Sequence, residues 1–345
     1  MTDFSTVSES TFEERSFWDR LGAFIISVLV LPLALLDGLL SRLQARIGIQ
    51  RMGYWFILPN LLIFGTFILL PMLLNFYYGF TGGTSILPQN RTWVGTENLS
   101  ALLTCEDYTR PLTCTEDLFW RGAANTVRFV VIEVTAIILL SLVTAVALNR
   151  RIRARGFFRS VFFYPVLLSP VVVALIWKWI LQPQGVLNSL LADGRPIPFL
   201  TNADWAMFWV IVVHVWAQMG FYTLILLAGL QAIPKDLYEA ASMDGANEWS
   251  RFWHITLPLL RPTMLVVLVL TLIRSVQVFD LAFVFTGGGP GTATQFLVQF
   301  IFQSAFDDRR FGIAAGASLL LAGTLLVFTI IQLRVNRSSL DNGEG

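Results

Sequence analysis

Charge is scarce in this chain. Asp, Glu, Lys and Arg make up 14% of its 345 residues, and only two of the 24 basic residues are lysine. Soluble domains average about 25% charged residues, so polar cover for a globule of this size is missing and a soluble enzyme is excluded first. The net charge of +1 leaves no large basic surface, so no nucleic-acid partner is expected. Histidine and cysteine occur twice each. His214 and His254 lie far apart with no H-E-x-x-H between them, and two cysteines alone cannot build a structural zinc site. No G-x-x-x-x-G-K-[ST] loop and no G-x-S-x-G elbow occurs, and the run Gly287 to Gly291 holds no lysine. The chain is therefore expected to carry no catalytic centre, metal or cofactor of its own. Its energy source must be a gradient or a partner.

Apolar residues are abundant instead. The hydrophobic share is 55%, with 28 Phe, 11 Trp and 7 Tyr, rings that suit a lipid interface. A bilayer core of about 30 Å needs roughly 20 apolar residues per helix. The candidate spans are Gly22–Leu40, Trp55–Tyr78, Thr126–Leu148, Phe157–Ile180, Met207–Leu230, Leu265–Phe285 and Ile313–Leu333. They are apolar nearly all round, the pattern of helices buried in lipid and in one another. None alternates as a barrel strand would. The expected fold is an all-α polytopic membrane protein.

Arg and Lys placement sets the orientation. The connections Ser41–Tyr54, Asn149–Arg159, Ala232–Arg261 and Arg334–Gly345 hold 13 basic residues. The other set, Thr81–Arg121, Leu181–Ala206 and Thr286–Gly312, holds Arg91, Arg110, Arg121, Arg195, Arg309 and Arg310. The first set is expected to be cytoplasmic, with the C-terminus inside and both ends of the last six helices on that side. Residues 1–54 form a separate N-terminal segment. Its apolar stretch Gly22–Leu40 carries Pro32 and Asp37 and runs into the Arg-dotted stretch Ser41–Gln50. Two readings stay open there: a seventh span with the N-terminus outside, or a helix lying in the inner leaflet with the N-terminus inside. No A-x-A site follows, so a cleavable signal is not expected.

The cytoplasmic stretch 233–262 reads as two short helices and a turn. Pro234 suits a helix start, Asp236 with Glu239 suits a capping pair, and Gly245 suits a turn with positive φ. A second helix is expected from about Asn247 to Ile255, ending before Pro258. Ala240 and Ala241 are small enough for another surface to approach closely.

Here the sequence resembles a known family. Glu239-Ala240-Ala241, Gly245 and Ile255-x-Leu257-Pro258 are similar to the EAA signature of permease subunits in bacterial ABC importers. The fuller pattern resembles the carbohydrate-uptake branch, the first permease of maltose and glycerol-phosphate systems: Ile233-Pro234, Asp244-Gly245-Ala246, Phe252 and Leu257-Pro258 to Pro262. Phe279-Asp280 with Gly287 to Pro290, Ile176 to Trp179 with Gly185 and Asn188, and Ala228 to Gln231 extend it from about Trp55 to the C-terminus. The resemblance implies a six-helix type I importer core over residues 55–345 in a bacterial plasma (inner) membrane. It implies a second homologous permease, two ATPase subunits that bind ATP and magnesium, a periplasmic or extracellular solute-binding protein and a carbohydrate substrate. It makes Glu239, Ala240, Ala241, Asp244 and Gly245 the residues that couple to the ATPase.

Polar residues at membrane depth are functional candidates by default. His214, Gln218 and Tyr222 recur every four residues on one helix face and would contact sugar hydroxyls and a sugar ring. Interhelical hydrogen bonding is the competing reading. Arg274, Gln277 and Asp280 read as one helix in which Gln277 can reach either charge. They form either a polar wall that touches substrate or a structural pair with a neighbouring helix at Glu133. Lys178 is expected to reach the outer interface. Cys105 and Cys114 share one outer loop and are expected to form a disulfide. The competing function is an ion-coupled secondary transporter using Glu133 and Asp280 as midplane acids, and the EAA loop argues against it.

Overall fold

A computed structural model describes residues 48–150, 153–191 and 195–341. The stretch Gly22–Leu40, and with it the choice between span and interfacial helix, lies outside the described residues. The chain divides into two compact units, Met1–Leu73 and Leu74–Gly345.

α1 runs Ile49–Phe64 and passes through a wide π turn, Gly65–Leu69, into α2, Leu70–Gly79, and the division between the units falls inside α2. None of the most apolar window of Gly53–Gly79 is buried in the protein, as a lipid-facing helix requires.

The second unit continues from α2 with a short hairpin, β1 (Thr81–Gly82) against β2 (Thr92–Trp93), and α3 (Glu97–Leu103). The membrane helices come next: α4 (Asp117–Asn149), α5 (Arg155–Phe163), α6 (Pro170–Leu181), α7 (Val186–Leu191) and α8 (Ala203–Ala232). The loop helices α9 (Lys235–Met243) and α10 (Glu248–Arg251) precede α11 (Leu257–Val276), α12 (Asp280–Thr286), α13 (Leu297–Phe306) and α14 (Phe311–Asp341). Among the described residues six helical segments are long and apolar enough to cross a membrane: Gly53–Gly79, Asp117–Asn149, Pro170–Leu191, Ala203–Ala232, Glu248–Val276 and Phe311–Arg334. The six expected core spans are thus present, with two displaced.

The third expected span, Phe157–Ile180, is not one helix. It breaks into amphipathic α5, a 3-10 turn over Tyr164–Leu167, and α6. Pro165 and Pro170 lie at this break: each lacks a donor, and Ser169 before Pro170 is extended, at φ −61° and ψ 134°, as a following proline favours. The fifth, expected at Leu265–Phe285, begins earlier, at Glu248, and stops at Val276. Gln277 to Phe279 leave helical geometry before α12 starts at Asp280. Arg274 and Asp280 therefore lie on two helices rather than one.

α8 is the central helix: 61% of its most apolar window is buried, against 22–33% for the other spans of this unit. Its Val210, Val213, Tyr222 and Leu226 pack with Phe129 and Ile137 of α4 and with Leu260 and Val267 of α11 in the main core. A smaller cluster joins Leu102, Phe119, Leu297, Phe300 and Ile313.

Candidate functional site

Two places concentrate the candidate residues: the loop between α8 and α11, and a cavity among the spans. In the loop, α9 starts immediately after Pro234. Asp236 already lies inside the helix and makes no capping bond, so the expected Asp236–Glu239 pair does not form. Asn247 caps α10 instead, its side chain accepting from the Ser250 amide at 2.7 Å. Between the helices Gly245 adopts φ +77° with open space around it, and the Ala246 amide donates to the Ala241 carbonyl at 2.9 Å.

The second loop helix does not end before Pro258. It widens into a π turn, Phe252–Thr256, and continues into α11. A proline in regular helix leaves one carbonyl unpaired and collides with it, and a wide turn relieves both. α9 is fastened to this turn by Tyr238 Oη and Thr256 Oγ1 at 2.9 Å. Arg251 Nη1 donates to Ser242 Oγ at 2.8 Å, and Glu248 binds Arg150 at 2.6 Å. Sequence reasoning missed these fasteners, because Arg150 and Glu248 are 98 residues apart. Glu239, Ala240, Asp244 and Gly245 are exposed and Ala241 is half-buried. Leu237 and Met243 are also exposed, Met243 to 88%, so α9 has an apolar face that the described residues leave uncovered.

The cavity, about 590 Å³, opens beside α8, α11 and the break before α12. His214, Gln218, Gln277 and Asp280 line it, together with Arg274. Tyr222 does not. It is 1% exposed and sits in the core. The four-residue spacing explains the difference: each step advances a helix by about 400°, so eight residues turn Tyr222 about 80° from His214. Arg274 and Asp280 form no ion pair among the described residues. The Arg274 guanidinium lies 5.8 Å from the Phe221 ring centre, a cation–π distance.

Glu133 does not pair with Arg274 among the described residues. Arg128 faces Asp204 at 4.0 Å, and Glu133 Oε1 meets His214 Nδ1 at 2.5 Å. Glu133 is completely buried and His214 is 8% exposed. Lys178 donates to the Val284 carbonyl at 3.3 Å and so ties α6 to α12 instead of reaching only for the interface.

Between α3 and α4 Cys105 and Cys114 are joined in a disulfide, with Cα atoms 4.0 Å apart. Arg91, counted in sequence only as an outer charge, is buried. Its guanidinium donates to the Thr81 hydroxyl and carbonyl, each at 2.8 Å, and to the Gly83 and Ser85 carbonyls, each at 2.9 Å. Burial lowers its pKa, which Tyr78 and Tyr77 oppose. Arg310 pairs with Glu116, and hydrogen bonding to that carboxylate raises the Arg310 pKa.

Bundled apolar spans, a polar cavity among them and a helical loop with an uncovered apolar face define a multi-pass membrane permease. Residues 137–339 match the family described as binding-protein-dependent transport system inner membrane component, and the chain belongs to that family. It is 35% identical to the trehalose/maltose transport system permease protein of Thermococcus litoralis over 308 residues, 88% of this chain and 99% of that one. It is 30% identical to the lactose transport system permease protein of Rhizobium radiobacter, across 83% of this chain and 94% of the relative. Among solved structures it resembles a bacterial ABC transporter involved in the import of the acidic polysaccharide alginate. The TM-score is 0.71 and the identity 25%, over 86% of this chain and 99% of that chain. The fold is thus that of an ABC importer permease.

Proposed function

We propose that this chain is the permease subunit of an ATP-driven importer for a sugar or sugar-like solute. It forms half of the translocation path beside a second, homologous permease. A soluble binding protein delivers solute from outside, and two ATPase subunits carry ATP, magnesium and the hydrolysis; this chain supplies no catalytic group. It sits in the plasma (inner) membrane with its C-terminus in the cytoplasm, the orientation its arginines favour. His214, Gln218, Gln277 and Asp280 contact solute from the cavity wall.

The observation that carries this reading is the state of the EAA segment. Glu239, Ala240, Asp244 and Gly245 are exposed on a short helix, fastened to α11 through Tyr238–Thr256 and Arg251–Ser242. A helix exposed on one side and tied on the other transmits displacement of a docked partner into the span behind it. The relatives' sugar substrates support the solute class.

Photo-crosslinking tests the docking. A photo-reactive residue at Ala240 should capture the ATPase subunit, and one at Leu112 in the outer loop should capture the binding protein. Capture of the ATPase from Leu112, or none from Ala240 in an assembled transporter, contradicts the proposal.

A further inference from the structure

Glu133 does not line the cavity, yet it is bonded to a residue that does. Its Oε1 lies 2.5 Å from His214 Nδ1, it is 0% exposed, and its Oε2 is buried without a hydrogen-bond partner among the described residues. The edge of the Phe129–His214 pair, 5.6 Å between ring centres, packs the imidazole from α4. Nδ1 is thereby occupied, and Nε2 is the ring nitrogen left to the cavity that His214 lines.

Proton counting decides what Nε2 presents. A carboxylate with a neutral imidazole protonated on Nδ1 makes Nε2 an acceptor, but it leaves a fully buried negative charge that no Arg or Lys contacts among the described residues, Arg274 on the cavity wall included. Half of that charge would rest on Oε2, which has no donor. A carboxylate with an imidazolium is net neutral, and so is a carboxylic acid with an imidazole protonated on Nε2. Both neutral states place an N–H on Nε2. Burial of an unpaired carboxylate is costly, and a proton shared between Oε1 and Nδ1 avoids it.

We propose that Glu133 is a positioning residue which, through this shared proton, fixes His214 Nε2 as a hydrogen-bond donor to the solute. This rests on the transport reading above and deepens it. The solute must offer an acceptor oxygen to α8: a hydroxyl, a ring oxygen or a carboxylate. Gln218 can donate or accept beside it, Arg274 only donates, and Asp280 when ionised only accepts.

Glu133→Gln separates this role from simple packing. Glutamine keeps the size and one hydrogen bond to Nδ1, but it carries no carboxyl proton, so a neutral His214 can hold its proton on either nitrogen. The first readout is 15N NMR of the assembled transporter with 15N-histidine in this chain alone. The chain has two histidines, and His254→Asn assigns the signals. Wild type should show a protonated Nε2 on His214, and Glu133→Gln should show a population with Nε2 unprotonated. The second readout is uptake. Glu133→Gln should lower solute imported per ATP about tenfold, the equivalent of one hydrogen bond of about 1.4 kcal/mol, with ATPase stimulation by the loaded binding protein retained. An unprotonated Nε2 in wild type overturns the proposal, and so does a Glu133→Gln variant that imports at the wild-type ratio. Wild-type protein that takes up no solute yet shows the protonated Nε2 refutes the transport reading and not the pair. If Glu133→Gln fails to assemble, the wild-type spectrum still decides.

Discussion

Gly245 isolates one physical cost, because its φ is +77° and a Cβ there would meet nothing within 4 Å. Substitution is opposed by backbone strain alone. An L-residue with a Cβ in the left-handed region pays about 1–2 kcal/mol, and Asn less because it visits that region routinely. Valine, β-branched, is worse than alanine. A cost of one to two kcal/mol shifts the balance between the native turn and a relaxed one by about 5–30-fold. The relaxed turn redirects α9, and the Tyr238–Thr256 and Arg251–Ser242 bonds cannot then both persist. We expect solute imported per ATP to fall in the order Gly, Asn, Ala, Val, with the protein still in the membrane. The assay is paired uptake and ATP hydrolysis in proteoliposomes, with co-purification of the ATPase as control. Gly245→Val with a wild-type ratio and full ATPase retention would refute the reasoning.

Further outcomes follow from the same geometry. Gln218→Ala should weaken uptake because Gln218 lines the cavity, while Tyr222→Phe, altering a side chain 1% exposed, should leave solute selectivity unchanged; competition by related sugars in both variants checks this. Gly220→Ala places a Cβ 2.1 Å from the Phe162 carbonyl oxygen, a backbone collision that should cost about 1–3 kcal/mol or more; thermal unfolding of the detergent-solubilised complex reads it, and an unchanged midpoint counts against so close an approach of α5 to α8 at Gly220. Arg91→Lys retains charge but cannot reproduce the guanidinium fork and strands carbonyls of the outer hairpin, costing about 2–4 kcal/mol locally; limited proteolysis should cut the Thr81–Trp93 segment faster than in wild type, and equal rates argue against the cradle.

Sequence alone reached the helical class and the position of the coupling segment, because apolar runs and the Glu239 to Pro258 pattern are local signals. The breaks at Tyr164–Leu167 and Gln277–Phe279 were less legible. Apolar composition runs straight through both, and only Pro165 and Pro170 hinted at the first. The turn at Gly245 was readable because one residue sets it, while Pro258 misled: it marks a widened turn rather than a helix end. Four of the five solute-contact candidates line the cavity, His214 and Gln218 picked by spacing and Gln277 and Asp280 as polar residues at membrane depth. Tyr222 was misplaced because a four-residue repeat drifts around a 3.6-residue helix. The partner of Glu133 was out of reach. His214 is 81 residues away, and no local pattern encodes which face of α4 meets which face of α8.

Reconstitution tests the central claim most directly. This chain is assembled in proteoliposomes with its paired permease and ATPase, ATP is enclosed on the cytoplasmic side, and labelled sugar is offered with and without the loaded binding protein. The account expects uptake that requires both ATP and the binding protein and that continues when an uncoupler collapses ion gradients. Uptake that proceeds without ATP and stops with the uncoupler would contradict it and make this chain an ion-coupled transporter.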